Sequence, residues 1–265
     1  MHLKQKYGRQ ALIAGASEGM GAAFAHYLAA EGIDLVLVAR RKEPMDELAA
    51  LLISKYHIKV RSICCDLAVP DAAEQLQSVL QGEEINLLVY NAAVAYIGPF
   101  EKNSVAHHQQ IAQANVVTLM QLLQLFSEPM LKNGKGAVIV MASLAGFQGS
   151  GFLAAYAATK AFCRVLAESL WYEWKDRGVD VIACCAGATS TPNYIKTNPE
   201  PSGFFAPRVQ RPEEVVKECF IHLGKRPSFI SGRGNRVASF IMQKLLPRKM
   251  AINIMGDTTR KMYRL

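Results

Sequence analysis

The chain has 265 residues, 51% of them hydrophobic, with 30 Lys and Arg against 22 Asp and Glu for a net charge of +8. That apolar content excludes intrinsic disorder, and the length suits one large α/β domain at least as well as two small ones. The positive balance favours anionic ligands, or weak contact with nucleic acid or an acidic membrane surface, and singles out none of them.

The opening "MHLKQKYGRQ" lacks the apolar core of a signal peptide, and no apolar run approaches the length of a membrane span, so a cytoplasmic location is expected. Cysteines at 64, 65, 163, 184, 185 and 219 show no C-x-x-C or Cys/His ligand spacing. They read as buried free thiols of a reducing compartment, with no metal site.

The first predicted strand, "QALIAGA" at 10–16, runs into "AGASEGMG", with glycines at 15, 19 and 21. Gly15 allows a tight turn, Gly19 a close approach of the backbone to a pyrophosphate, and Gly21 close packing of a helix over 20–31. The N-terminus of that helix then faces the phosphates. The spacing G-x-x-x-G-x-G departs from the usual dinucleotide fingerprint, so its place at the first strand-to-helix turn carries the argument. The second strand, "DLVLVAR" at 34–40, ends in Arg40 with Arg41 beside it. Many NAD sites put an acid here for the ribose hydroxyls, whereas an arginine accommodates a 2′-phosphate, which points to NADPH. A helix over 44–56 and a third strand, "KVRSICCDL" at 59–67, lead to Asp66 and Leu67. The Asp66 carboxylate either accepts from an adenine amino group or caps the next helix, 71–81.

A fourth strand, "INLLVYNAA" at 85–93, carries Asn91 and Ala92, and an interrupted helical stretch over 101–133 contains Asn115. The fifth strand, "GAVIVMAS" at 136–143, ends on Ser143, at the carboxyl edge where open α/β sheets bind ligands. The helix 152–176 contains "AAYAATKAF", which sets Tyr156 and Lys160 one turn apart on one face. An ammonium beside a phenol is a poor structural pair but favours the phenolate; a surface helix with a packed Tyr and a solvated Lys is the plainer reading. A sixth strand, "VDVIACCAG" at 179–187, precedes residues 188–210, whose four prolines and weak periodicity suggest a lid over the substrate. A helix over 212–223 and a weak seventh strand at 227–232 follow. The basic tail, 235–265, reads as two short helices around Pro247 that cover an edge, join a dimer contact or, less readily, lie on a membrane surface. Strict alternation of apolar runs and helical patterns implies an α/β Rossmann-type doubly wound parallel sheet of about seven strands, with helices on both faces, in one domain.

With "AGASEGMG", "CDL" at 65–67, "NAA" at 91–93, Asn115, Ser143 and "YAATK" at 156–160 in this order, the chain resembles a short-chain dehydrogenase/reductase from residue 8 to about 232. Ser143 lies 13 positions before Tyr156, and Asn115 lies 28 before Ser143, as the family pattern expects. The resemblance implies an NADP(H)-dependent oxidoreductase. Tyr156 would be the general acid, or the base in the oxidative direction. Lys160 would favour its ionised form and hold the nicotinamide ribose, Ser143 would bond the substrate carbonyl, and Asn115 would hold a water that links Lys160 to solvent. Cofactor contacts are implied at Gly15, Ser17, Gly19, Met20, Gly21, Arg40, Arg41, Asp66, Leu67, Asn91, Ala92, Tyr156, Lys160, Gly187, Thr189 and Thr191. Three positions depart from the family pattern: Ala14 replaces a threonine, Ala93 a glycine, and Ala186-Gly187 a Pro-Gly.

Phe147, Phe152, Tyr96, Ile97, Tyr194, Phe204 and Phe205 are the expected pocket walls, with no dedicated carboxylate or amine partner. An apolar ketone (3-oxoacyl, steroid-like or lipid-derived) suits them better than a sugar, and reduction is the expected direction. The expected partner is this small-molecule carbonyl or alcohol, not a nucleic acid. Wide apolar faces at 115–133 and 152–176 suggest a homodimer or homotetramer. A non-catalytic dinucleotide-binding regulator and a membrane-surface protein are the competing readings.

Overall fold

Successive residues of the first strand go to opposite sides of a sheet: Ala11 and Ile13 enter one buried cluster, Leu12 and Ala14 the other. Both faces are dry, which is why such segments read as unbroken apolar runs rather than as alternating ones. The computed structural model describes residues 3–200 and 208–265. Its elements are α1 (Leu3–Tyr7), β1 (Gln10–Ala14), α2 (Gly19–Ala30), β2 (Asp34–Ala39), α3 (Lys42–Tyr56), β3 (Val60–Cys64), α4 (Ala72–Val79), β4 (Leu87–Tyr90) and α5 (Val105–Ala112). They continue with α6 (Thr118–Asn133), β5 (Gly136–Ser143), α7 (Ala154–Trp174), β6 (Val179–Ala186), α8 (Pro192–Lys196), α9 (Pro212–His222), β7 (Ser228–Ile230), α10 (Arg233–Phe240) and α11 (Arg248–Tyr263).

The sheet has seven parallel strands in the order β3-β2-β1-β4-β5-β6-β7. Helices α2, α3 and α9 bury their apolar stripes on one face, and α4, α6 and α7 on the other. The order reverses between β1 and β4, which opens a crevice beyond the carboxyl ends of these strands. The Rossmann-type sheet expected from the sequence is therefore present, with its helices on both sides.

Three local differences have simple causes. Strand β3 ends at Cys64 and lies at the sheet edge, where its outer residues meet solvent; Cys64 is exposed, and only the other five cysteines are buried. Burial pushes the Cys65 thiol up to about 11 and also raises Cys163, where it outweighs the opposing charge of Lys160. The stretch 101–133 is interrupted at Asn103 and Ser104, between a 3-10 turn over Phe100–Lys102 and α5, and a π turn, Gln113–Val117, joins α5 to α6. The tail forms α10, a second π turn at Ile241–Leu245, and α11. Pro247 lies at the N-cap of α11, where a missing N–H costs nothing. Among the described residues no helix is long and apolar enough to cross a membrane.

Candidate active site

Above the carboxyl ends of the strands lies a cavity of about 1460 Å³. Sites for a single small molecule usually measure about 300–1,000 Å³, so this one has room for a dinucleotide and a second ligand. Its floor on the β1 side is the glycine loop. Gly15 has φ +82, and a Cβ there would sit 2.8 Å from the Ala92 backbone. A Cβ on Gly21 would overlap the Gly15 carbonyl oxygen, so α2 approaches the loop as closely as glycine allows. The Asn91 Nδ2 donates to the Gly15 oxygen at 2.9 Å and holds the loop in place from the end of β4. The first turn of α2 thus presents its unpaired N–H groups to the cavity.

The two arginines after β2 are not equivalent. Arg41 pairs with Glu18 at 2.8 Å and bonds Ser17 Oγ at 3.1 Å, so it braces the glycine loop. The Arg40 side chain has no polar partner among the described residues and lines the cavity. Asp66 accepts from the Ala68 N–H at 3.0 Å; it closes its own turn rather than capping α4, which begins at Ala72. Ala93 is exposed and has no positive φ, so its methyl group in place of a glycine strains nothing.

On α7, Lys160 is 4% exposed, and its Nζ donates to the Met141 oxygen at 2.7 Å. It forms no ion pair among the described residues and lies 5.7 Å from the centroid of the Tyr156 ring. A buried ammonium with no carboxylate is expensive, and a carbonyl occupies one of its three donors. The Tyr156 hydroxyl makes no hydrogen bond among the described residues, and Ser143 Oγ only accepts, from the Ala145 N–H at 3.2 Å. Both therefore keep an O–H donor for a ligand. All three residues line the cavity.

Asn115 does not line it. The residue lies fully buried in the π turn, where its side chain accepts from the Val94 N–H at 2.8 Å and donates to the Val94 oxygen at 2.9 Å. It also donates to Thr159 Oγ1 at 3.0 Å, and Thr159 in turn donates to the Tyr156 carbonyl at 2.8 Å. The side chain is thus fully engaged in fixing α7 to the 91–95 segment, and a water on the backbone carbonyl would share that oxygen with the Cys163 thiol, which donates to it at 3.4 Å. Gly21 is also absent from the lining, because it packs beneath the loop. The other sequence-predicted residues (Gly15, Ser17, Gly19, Met20, Arg40, Arg41, Asp66, Leu67, Asn91, Ala92, Gly187, Thr189 and Thr191) all border the cavity with the catalytic candidates.

The apolar walls differ from expectation. Ile97 and Tyr194 line the cavity, but Phe147, Phe152 and Tyr96 do not. Phe147 packs under Arg164, Phe152 under Arg260, and Tyr96 meets His107 and His108 edge-on. Phe204 and Phe205 lie outside the described residues. The wall comes instead from the tail: Met242, Met255, Met262 and Tyr263. The signal was present as Ala251, Met255, Thr259 and Met262, which recur at helical spacing on one face. Glu200 ties the segment after α8 to the end of the tail, through its N–H to the Met262 oxygen at 2.9 Å and its carboxylate to Arg264. Burial holds the Tyr263 phenol above its ordinary range; a hydrogen bond with Thr197 opposes this, and nearby Tyr156 adds to it.

The family described as short chain dehydrogenase matches residues 9–202. The 7beta-hydroxysteroid dehydrogenase of Clostridium sardiniense is 34% identical over 237 residues, covering 89% of this chain and 90% of that protein. A solved 7beta-hydroxysteroid dehydrogenase superposes with a TM-score of 0.89 at 30% identity, over 96% of this chain and 99% of the other. A short-chain dehydrogenase from Sphingobium yanoikuyae, solved with NADPH, gives a TM-score of 0.75 at 29% identity over 84% and 87% of the two chains. With the glycine loop, Ser143, Tyr156 and Lys160 gathered on one cavity of a doubly wound sheet, the chain belongs to the short-chain dehydrogenase/reductase family.

Proposed function

We propose that this oxidoreductase reduces the ketone of an apolar, steroid-like substrate with NADPH. One observation carries the chemistry: a buried, unpaired Lys160 ammonium beside Tyr156, with the free hydroxyl donors of Tyr156 and Ser143 on the same cavity. The glycine cradle, the open N-terminus of α2 and the unpartnered Arg40 suit a phosphorylated dinucleotide. When bound, the nicotinamide supplies a hydride to the carbonyl carbon. Tyr156 donates its proton to the carbonyl oxygen, and Ser143 Oγ donates a hydrogen bond to the same oxygen as negative charge builds there. Lys160 stabilises the phenolate that remains, and the Asn115–Thr159 bonds keep α7 in register for both steps.

The substrate class rests on the cavity volume, on the methionine-rich wall from α11 and on the likeness to 7beta-hydroxysteroid dehydrogenases over nearly the whole chain. A panel of oxosteroids, 3-oxoacyl thioesters and sugar ketones, followed by loss of NADPH absorbance, tests it. Steroid ketones with the carbonyl at position 7 should be reduced best. Turnover of other ketones with none on steroids would overturn the substrate assignment.

NADPH should bind more tightly than NADH, because Arg40 lines the cavity without a polar partner among the described residues. Arg40→Asp should weaken NADPH by about 1.5–3 kcal/mol, the scale of a charge-assisted hydrogen bond. Fluorescence titration of both cofactors measures this, and equal affinities in the unmodified protein would refute the assignment.

The protein also self-associates in this reading. Val165 and Tyr172, seven residues apart on α7, and Met120 on α6 are exposed apolar groups on adjacent helices. Light scattering at micromolar concentration should give a dimer or tetramer; a monomeric mass would rule this out.

A further inference from the structure

The segment that follows Ser143 is clamped on every side. Gly146 lies so close to α7 that a Cβ would be 2.6 Å from the Ala161 nitrogen. Ser150 Oγ donates to the Ala145 oxygen at 3.2 Å, and the Leu153 N–H donates to the Ser150 oxygen at 3.2 Å. From α11, Arg248 donates to the Phe147 oxygen at 3.0 Å, and a Cβ on Gly151 would lie 3.2 Å from the Gly256 Cα. Within this clamped segment one polar side chain is unused. Gln148 is only 9% exposed, lines the cavity beside Leu144, Leu153 and Tyr156, and forms no hydrogen bond among the described residues.

A carboxamide carries two donors and one acceptor, and holding it out of bulk water without partners costs free energy. An apolar residue would fill this position without that cost if the cavity took only hydrocarbon. Gln148 is also uncharged, so it selects no ionic group. We propose that Gln148 is a specificity-determining residue that holds a second, uncharged oxygen of the substrate, a hydroxyl or carbonyl remote from the one being reduced. This rests on the proposed ketone reductase activity and narrows its substrate class to oxygenated ketones on an apolar skeleton. The clamp from α7 and α11 fixes the amide relative to Ser143 and Tyr156, so the second oxygen sets which carbonyl of the skeleton reaches them.

The test uses a matched set of steroid ketones: a mono-ketone with its carbonyl at position 7, and counterparts that add one ring hydroxyl at different carbons. The unmodified protein should prefer at least one hydroxylated member. In Gln148→Met, which keeps the length and shape of the side chain, that preference in kcat/KM should fall about 2- to 12-fold, mainly through KM, as expected for one neutral hydrogen bond. The mono-ketone and the NADPH affinity serve as internal controls and should be nearly unchanged, which a merely structural role for Gln148 would not allow. Gln148→Asn keeps the amide but withdraws it by one methylene, and should lose the same preference. If both variants keep the selectivity of the unmodified protein across the set, Gln148 does not bind substrate. If the unmodified protein reduces no member of the set, the steroid assignment itself falls and this proposal with it.

Discussion

Tyr156→Phe should abolish ketone reduction while leaving NADPH affinity nearly intact. The phenyl ring preserves the packing on α7 and removes only a hydroxyl that has no protein partner among the described residues. A general acid contributes about 10²–10⁴-fold in rate, so turnover should fall by at least that much. Lys160→Ala should injure both turnover and NADPH binding, since it removes the proposed ribose contact and the charge beside the phenol together. It also opens a void where a buried side chain reached the Met141 carbonyl, so its stability should be checked by thermal melting. Single-turnover rates and cofactor titrations on the two variants separate these effects. Retention of most of the turnover by Tyr156→Phe would remove the acid from Tyr156 and leave α7 a scaffold.

Gly21→Ala should be the most damaging substitution in the glycine loop, although Gly21 does not line the cavity. Its Cβ would overlap the Gly15 carbonyl and lie 2.8 Å from the Ala16 Cα, both backbone atoms that no rotamer change can move. Helix α2 must therefore back away from the loop, which pulls its N-terminal N–H groups off the phosphate side of the cavity and loosens the Phe24 and Leu28 contacts of the core. Overpacking of this kind costs about 3 kcal/mol. For a chain of this size that is roughly a 6–12 °C fall in Tm. NADPH affinity should drop by at least about tenfold, on the scale of one lost hydrogen bond to a charged group. An unchanged melting temperature and an unchanged titration would show that the loop tolerates the methyl group.

Much of this site could be read before any coordinates. The strands announced themselves because both faces of a parallel sheet are buried, so each is a local apolar run that no tertiary contact is needed to see. Gly15, Gly19 and Gly21 sit within one turn and its helix start, and Tyr156 and Lys160 are neighbours by helical geometry alone. What the sequence left open was settled mostly by partners that only the fold brings together. Nothing local tells Arg40 from Arg41; the difference is that Glu18 and Ser17 fold back within reach of only one. The Asp66 carboxylate had two local readings, and the backbone at Ala68 decided against the helix cap.

Asn115 shows the same limit more sharply. Its position in the chain marked it as functional, but only the fold shows that Val94 and Thr159 occupy its side chain and that the Cys163 thiol reaches its backbone oxygen. The aromatic residues chosen as walls were large and near Ser143, yet Phe147 and Phe152 turn away to lie under Arg164 and Arg260. The wall that replaced them comes from α11, about a hundred residues further along the chain, as the Arg248–Phe147 bond illustrates with its separation of 101 residues. The sequence by itself determined the layered sheet, the dinucleotide loop and the Tyr–Lys pair, because each is written in periodicity or in spacing within a few residues. The shape of the substrate chamber, the seat of Gln148 and the latch between Glu200 and Arg264 were decided only in three dimensions. Each depends on where two distant segments meet, and helical spacing such as that of Ala251, Met255, Thr259 and Met262 marks a face without saying what packs against it.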